Sequence, residues 1–178
     1  MKRHKYRQET EAVRGGADLS KKNGPLSTPI YQTSTFEVTD SEQQVRATST
    51  DRFYTRYGNP TNSAAEAAIA ELEGTERALL FDSGMSAITT SVLALVKAGD
   101  HIVAQRDIYG GATKFFTQWL PKLGVETTLV DTTDYEQHER AIRPNTRMLY
   151  LESPTNPTLR IVDLKKAVGW RNNTASLH

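Results

Sequence analysis

The sequence predicts an α/β fold in which helices cover both faces of a mostly parallel sheet. From residue 61 onward, short apolar segments of strand length alternate with longer segments of helical period, and glycine or proline separates many of them. The short segments are continuously apolar rather than alternately apolar and polar. Continuous apolar strands are typical of parallel sheets, because such sheets are buried on both faces.

The first predicted helix begins at Thr61 or Asn62, either of which can cap its amino end, and Gly74 closes it in the left-handed conformation. The remaining predicted elements, in chain order, are a strand over 78–81, a helix over 85–96, a strand over 102–104, a helix over 112–123, a strand over 125–130, a helix over 135–142, a strand over 148–151 and a helix beginning at Leu164. Four parallel strands are therefore expected, with an unpaired flank beside the fourth.

The chain is expected to have three parts. Residues 1–60 are rich in Gly, Ser, Thr and Pro without a long period, which predicts an extended amino-terminal arm with one short helix near 41–45. Residues 61–168 carry the alternating pattern and are predicted to form part of a doubly wound domain. Residues 169–178 form a polar tail that does not continue the last helix.

Composition excludes several classes of function. The formal net charge of +1 gives no basis for binding nucleic acid or an acidic membrane surface, and no apolar run is long enough to span a bilayer. The chain has no cysteine, which excludes disulfides and thiolate chemistry, and its four histidines lack the spacing of metal ligands. The basic amino terminus is followed by no apolar segment, which predicts a cytoplasmic protein without a secretory signal.

Two segments offer groups that suit a phosphate. Ser83, Gly84 and Met85 stand between a predicted strand and a predicted helix, where the amides of Gly84 and Met85 can donate to an anion at the positive end of the helix dipole. Tyr54 and Arg56 are two positions apart, so an extended segment would place their phenol and guanidinium on the same side. A structural turn and a surface pair are the alternative interpretations.

Two further segments follow predicted strands, at the sheet edge where doubly wound folds bind their ligands. Tyr109, which precedes Gly110 and Gly111, offers an aromatic face for stacking and a phenol for proton transfer. Glu152 and Asn156 belong to a segment in which two prolines restrict the loop and Asn156 offers both a donor and an acceptor. A half-buried tyrosine without function and a rigid turn without chemistry are the alternatives.

Four blocks in this order resemble the pyridoxal-phosphate enzymes of cysteine and methionine metabolism. That family includes cystathionine γ-synthase, the cystathionine γ- and β-lyases, methionine γ-lyase and the O-acylhomoserine sulfhydrylases. The blocks are Asp-Arg-Phe-Tyr-Thr-Arg-Tyr-Gly-Asn-Pro-Thr over 51–61, Phe-Asp-Ser-Gly-Met-Ser-Ala over 81–87, Asp-Ile-Tyr-Gly-Gly over 107–111 and Leu-Tyr-Leu-Glu-Ser-Pro-Thr-Asn-Pro over 149–157. The resemblance covers residues 9 to 168.

The resemblance implies the amino-terminal part of the large domain of a fold type I, aspartate aminotransferase-like enzyme. It implies pyridoxal 5′-phosphate as cofactor, a homodimer or homotetramer, and elimination or replacement on cystathionine, methionine or an activated homoserine. In such enzymes the arm with Tyr54 and Arg56 reaches the cofactor phosphate of the neighbouring subunit. Tyr109 would stack on the cofactor and move protons, Asn156 would meet the pyridine 3-oxygen, and Glu152 would line the site.

The match stops near residue 168. Family members continue with an aspartate that pairs with the pyridine nitrogen, a lysine that forms the Schiff base and a carboxy-terminal domain, and we find no counterpart of these. Lys114, Lys165 and Lys166 lie in helical patterns and are not substitutes. A truncated and inactive form is therefore expected. The alternatives are a non-catalytic α/β binding or interaction fragment and, disfavoured by the lack of a glycine fingerprint, a dinucleotide-binding domain.

Overall fold

The computed structural model describes residues 7–14 and 27–167, which divide between Leu80 and Phe81 into two compact units. In the first unit, the helices are α1 (Gln8–Arg14), α2 (Ser41–Ala47) and α3 (Pro60–Glu73). The second unit contains, in chain order, α4 (Gly84–Leu95), β1 (His101–Gln105), α5 (Gly110–Lys114), β2 (Glu126–Val130), α6 (Tyr135–Ala141) and β3 (Thr146–Tyr150). A final helical stretch covers 164–167, and the predicted tail over 169–178 lies outside the described residues.

The amino-terminal segment is less extended than predicted. The short helix expected near 41–45 is confirmed as α2, whose cap is Asp40: its carboxylate accepts the Gln43 amide at 2.7 Å. In contrast, α1 was not predicted. It packs against α3 within the same unit, so its stability comes from a tertiary contact that local sequence does not report.

The cap of helix α3 stands two or three residues earlier than expected. Asn59, and not Thr61 or Asn62, is the cap: its side-chain oxygen accepts the Thr61 amide at 2.9 Å, and Pro60 occupies the first helical position, where its missing amide costs nothing. The closing role of Gly74 is confirmed, because its φ is 66°.

The predicted strand over 78–81 is wrong. This segment is not part of the sheet, and the side chain of Leu79 is 73% exposed. The amide of Leu80 donates instead to the carboxylate of Glu66, at 2.9 Å. An apolar run becomes a strand only when another backbone pairs with it, and within the described part of the chain none does.

The sheet of the second unit is parallel, with β1 between β2 and β3. His101 pairs with Glu126 of β2 and with Thr146 of β3, so the three strands start at the same edge. Every residue of the central strand is buried, whereas the outer strands are partly exposed. The described residues thus form three of the four expected strands, and within them β3 pairs on one side only, with β1.

The core of this unit lies between the sheet and the helices α4 and α5. Ile102 and Ala104 of β1 pack there with Val92 of α4 and with Phe116, whose ring centre is 4.7 Å from that of Tyr150. The helix predicted over 112–123 is present but changes pitch. It runs from α5 into a π-helical turn (Phe115–Trp119) and a 3-10 turn (Leu120–Leu123) that ends at a left-handed glycine.

Candidate functional site

The carboxyl ends of β1 and β3 lie side by side, and the residues that follow them form the candidate site. Gln105 is the last residue of β1 and is fully buried. Its side-chain amide donates to the backbone oxygens of Asp107, at 2.9 Å, and of Glu152, at 2.8 Å. The loops after the two strands are therefore tied together directly beneath the predicted site residues.

Tyr109 and Glu152, predicted separately, are brought together. The backbone amide of Tyr109 donates to the Glu152 carboxylate at 2.9 Å, and the other carboxylate oxygen accepts the phenol of Tyr150, also at 2.9 Å. Burial, and then the hydrogen bond to Glu152, raise the pKa of the Tyr150 phenol, which keeps that phenol protonated as a donor. Glu152 thus fixes the backbone that carries Tyr109.

The ring of Tyr109 is half exposed and borders the start of α5. A β-carbon placed on Gly111 would lie 2.5 Å from the Cε1 atom of Tyr109 and 3.0 Å from the sulfur of Met85. The side chains of Tyr109 and Met85 therefore meet over Gly111, because that residue has no side chain of its own. An aromatic face with one open side is suited to stacking on a planar ligand.

The amino end of α4 carries the predicted phosphate donors. The side chain of Ser83 caps this helix, accepting the Ser86 amide at 3.1 Å, so its oxygen is already committed to the helix. The amides of Gly84 and Met85 make no hydrogen bond within the described residues, and a β-carbon on Gly84 would meet no atom within 4 Å. Two amides directed away from the helix into open space fit one face of a phosphate.

Asp82 adds a negative charge next to this turn. The pKa of the Asp82 carboxyl is lowered, chiefly by a hydrogen bond from the Ser86 hydroxyl. The carboxylate is therefore ionised at neutral pH, and it stands next to the turn whose amides would bind a phosphate.

Asn156 lies in the loop that follows β3, and its side chain is exposed. The neighbouring Thr155 is buried and holds the loop: its hydroxyl accepts the backbone amide of Arg160 at 2.8 Å, and its amide donates to the Arg160 oxygen at 3.0 Å. The peptide bonds before Pro154 and Pro157 are cis. The Asn156 amide is thus presented to solvent from an anchored loop.

Tyr54 and Arg56 belong to the first unit, and the extended geometry expected for them is wrong. Tyr54 forms a single antiparallel bridge with Thr35, and the chain then turns, with the amide of Tyr57 bonded to the oxygen of Tyr54 at 2.8 Å. The two predicted side chains nevertheless meet, because the guanidinium of Arg56 lies 5.1 Å from the centre of the Tyr54 ring. Arg56 is exposed and remains accessible to an anion.

Sequence reasoning missed four residues that shape the site: Gln105, Gly111, Tyr150 and Arg160. Gly111 and Tyr150 stood in quoted blocks, but neither the close approach of Gly111 to Tyr109 nor the hydrogen bond from Tyr150 to Glu152 was anticipated. Gln105 and Tyr150 are the last residues of β1 and β3, where they resemble ordinary sheet positions. No group of three or more His, Asp or Glu side chains that could hold a metal occurs in the part of the chain described, nor is any helix there long and apolar enough to cross a membrane.

Residues 9–175 match the family model described as Cys/Met metabolism PLP-dependent enzyme, so the match continues past residue 168, where the resemblance was expected to end. The chain is 44% identical over 158 residues to cystathionine γ-lyase of Bacillus subtilis, which covers 89% of this chain and 40% of that protein. It is 46% identical over 159 residues to L-methionine γ-lyase of Porphyromonas gingivalis, which covers 88% of this chain and 40% of that protein. This chain thus spans about two fifths of the length of these relatives.

Solved structures agree with these matches. The metB protein of Corynebacterium glutamicum superposes with a TM-score of 0.86 at 35% identity, over 96% of this chain and 43% of that one. The cystathionine γ-lyase of Lactobacillus plantarum, complexed with L-serine, gives a TM-score of 0.81 at 39% identity, over 94% of this chain and 42% of that one. The α/β fold predicted from the sequence is confirmed.

Proposed function

This chain belongs to the Cys/Met metabolism PLP-dependent enzyme family, and we propose that it binds pyridoxal 5′-phosphate within an enzyme of sulfur amino-acid metabolism. One observation carries the proposal: unpaired amides at the start of α4 and the half-exposed ring of Tyr109 border a common point, because Met85 and Tyr109 meet over Gly111. A phosphate donor set beside an aromatic face matches a phosphorylated aromatic cofactor.

Each predicted site residue of the second unit has a role in this proposal. The amides of Gly84 and Met85 bind the phosphate, and Ser83 holds the helix start that presents them. Tyr109 packs on the pyridine ring and moves a proton at its phenolic oxygen, while Asn156 hydrogen-bonds the 3-oxygen. Glu152 orients Tyr109 through the backbone contact described above. When bound, the cofactor supplies an electron sink for carbanions formed next to the amino group.

Tyr54 and Arg56 offer a phenol and a cation to a phosphate. We assign them to the phosphate of a neighbouring subunit, in a homodimer or homotetramer located in the cytoplasm. The exposed guanidinium of Arg56, steadied by the Tyr54 ring, supports this assignment.

The proposed reaction is elimination or replacement at the β or γ carbon of a small amino-acid substrate. Relatives at similar identity include cystathionine γ-lyase, methionine γ-lyase and cystathionine β-lyase, so overall similarity does not choose among their reactions. A cystathionine γ-lyase or γ-synthase is our preferred assignment within the family.

The 178-residue chain alone is proposed to bind without turning over substrate. The ammonium of Lys166 lies 4.7 Å from the centre of the Tyr135 ring and that of Lys122 lies 4.5 Å from the Trp119 ring. Every lysine in the described residues is exposed, so none of them is enclosed beside the proposed site as a covalent anchor would be. A non-catalytic binding fragment is the second candidate function, and the exposure of these lysines favours it.

Binding of pyridoxine 5′-phosphate, measured by isothermal titration calorimetry, tests the proposal. This probe lacks the aldehyde, so it cannot react with surface lysines. Gly84→Pro removes one amide donor at a helix position that proline favours, and the preceding residue already has extended backbone angles. Affinity should fall about tenfold or more, the effect of losing a hydrogen bond to a charged group.

Gly84→Ala is the matched control, because it keeps the amide and its β-carbon meets no atom within 4 Å. Equal affinities of the two variants would contradict the assignment of the phosphate donors. Absence of binding by the unmodified chain would contradict the proposed function itself.

A further inference from the structure

The side chain of Arg160 joins the loops that follow all three strands of the sheet. It stands in the loop after β3, and its guanidinium lies 3.5 Å from the carboxylate of Asp107, in the loop after β1. The same group lies 3.7 Å from the carboxylate of Asp131 and 2.5 Å from the hydroxyl of Thr133, both in the loop after β2. A planar guanidinium with several donors is suited to such a junction.

The backbone of Arg160 fixes the loop that presents Asn156. Its amide and oxygen bond to the hydroxyl and amide of Thr155, so Arg160 and Thr155 close the loop between them. Thr158, inside the closed loop, donates its hydroxyl to Asp107 at 3.3 Å. Asn156 therefore occupies a loop held to Asp107 at two points, one of which is the Arg160 side chain.

Asp107 stands two residues before Tyr109. Only Ile108, whose side chain is buried, separates them, and the backbone oxygen of Asp107 accepts a hydrogen bond from the side-chain amide of Gln105. A shift of Asp107 is therefore expected to move the backbone of Tyr109. Arg160 thus belongs to the loop that carries Asn156 and contacts, through Asp107, the segment that carries Tyr109.

We propose that Arg160 is a positioning residue, which sets the separation between Asn156 and Tyr109 by holding the loop after β3 against Asp107. This inference rests on the proposed function, in which these two side chains bind the pyridine ring. Arg160 acts on the ring end of the cofactor, whereas the phosphate end depends on the start of α4. The two ends can therefore be tested separately.

The first measurement needs no ligand. Fluorine NMR of the chain labelled with fluorotyrosine reports the surroundings of each tyrosine ring, and Tyr109→Phe identifies the Tyr109 signal. Arg160→Met should shift or broaden that signal, and Arg160→Lys should do so less, because it keeps the charge but loses the planar fork. Arg147→Met is the control: this arginine pairs with Asp100 at 4.0 Å near the opposite edge of the sheet.

The second measurement compares two probes by calorimetry, pyridoxine and pyridoxine 5′-phosphate. Arg160→Met should weaken both by the same factor, about threefold to tenfold, the scale of coupling through a contact network. Asp107→Asn should have a similar effect, and the double variant should lose little more than either single variant. The melting temperature should change little, because partly exposed ion pairs contribute little to stability.

An unchanged Tyr109 signal in Arg160→Met, or an equal change in Arg147→Met, would overturn the inference whether or not the probes bind. Loss of affinity for the phosphorylated probe alone would also overturn it, because it would place Arg160 at the phosphate end. If the unmodified chain binds neither probe while the Tyr109 signal moves as expected, the proposed function fails and the coupling of the two loops is upheld.

Discussion

Tyr109 folds back over Gly111, and the two approach so closely that Gly111 has no room for a side chain. The clash that a β-carbon would create, at 2.5 Å, is with the aromatic ring and not with backbone. Because the ring is half exposed, it can swing outward at small cost. Gly111 therefore determines where the ring lies more than whether the chain folds.

We expect Gly111→Ala to separate ring placement from stability. The free energy of unfolding should change by about 1 kcal/mol or less, below the usual cost of overpacking a closed core. Affinity for pyridoxine should fall at least as much as in Tyr109→Phe, which keeps the ring and loses the hydroxyl. Gly110→Ala is the control, because a β-carbon there meets no atom within 4 Å. Equal affinities of the two alanine variants would refute the proposed role of Gly111 in placing the Tyr109 ring.

His101 should make stability depend on pH. Its ring is fully buried between the hydroxyls of Thr146, at 2.7 Å, and Thr128, at 2.8 Å. Burial, followed by the charge of Arg143, lowers the pKa of His101 below its ordinary value of 6.5, and Glu126 opposes this only in part. The unfolded chain therefore binds this proton more readily than the folded chain does.

Because the unfolded chain binds the proton more readily, protonation of His101 favours unfolding. The contribution of His101 to stability is fully present above pH 6.5 and is lost as the pH falls from there toward the lowered pKa of the folded state. Chemical denaturation of the unmodified chain and of His101→Gln, repeated at several pH values on either side of 6.5, measures this effect. The dependence should be flatter in the variant, and identical slopes would exclude His101 as its source.

Arg56→Ala should weaken binding of pyridoxine 5′-phosphate only where subunits associate. The expected loss is about 1.5–3 kcal/mol, the range for a hydrogen bond to a charged group. Arg52→Ala is a matched control, since Arg52 also lies over a tyrosine ring of the same unit, 5.0 Å from the centre of Tyr31. An equal loss in a preparation shown to be monomeric would disprove the assignment to a neighbouring subunit.

The 178-residue chain should not turn over cystathionine, methionine or an O-acylhomoserine faster than free pyridoxal phosphate does. Borohydride reduction in the presence of the cofactor should label no single lysine preferentially, because every lysine in the described residues is exposed to solvent. Peptide mass spectrometry checks the labelling, with the Bacillus subtilis cystathionine γ-lyase as the positive control. Turnover by the purified chain, or label confined to one lysine, would defeat this expectation.

Local sequence predicted the parts of the fold that depend on local patterns. The three strands of the sheet lie within two residues of their predicted bounds, because continuous apolar runs and flanking turn residues mark them. The segment 78–81 has the same apolar character, but a strand also requires a partner, which sequence pattern alone does not supply. The cap at Asn59 was missed because Thr61 and Asn62 are equally suitable cap residues by type.

In the site, too, local motifs were predicted and contacts between distant positions were not. Motif residues such as Tyr109 and Glu152 were identified, yet the hydrogen bond between them joins positions far apart in the chain. Arg160 and Asp107, separated by 53 positions, carry no pattern that would connect them. Arg56 was identified by type, but the turn that follows Tyr54 was not, because both an extended segment and a turn accommodate these residues.

The strand order of the sheet has a consequence for synthesis on the ribosome. The central strand, β1, is the first to be made, and both of its neighbours come later in the chain. Its five residues, all buried in the folded unit, remain without backbone partners until β2 has emerged. During that interval the His101–Gln105 segment is exposed to chaperones and to other nascent chains, and slower translation beyond Gln105 would lengthen the exposure.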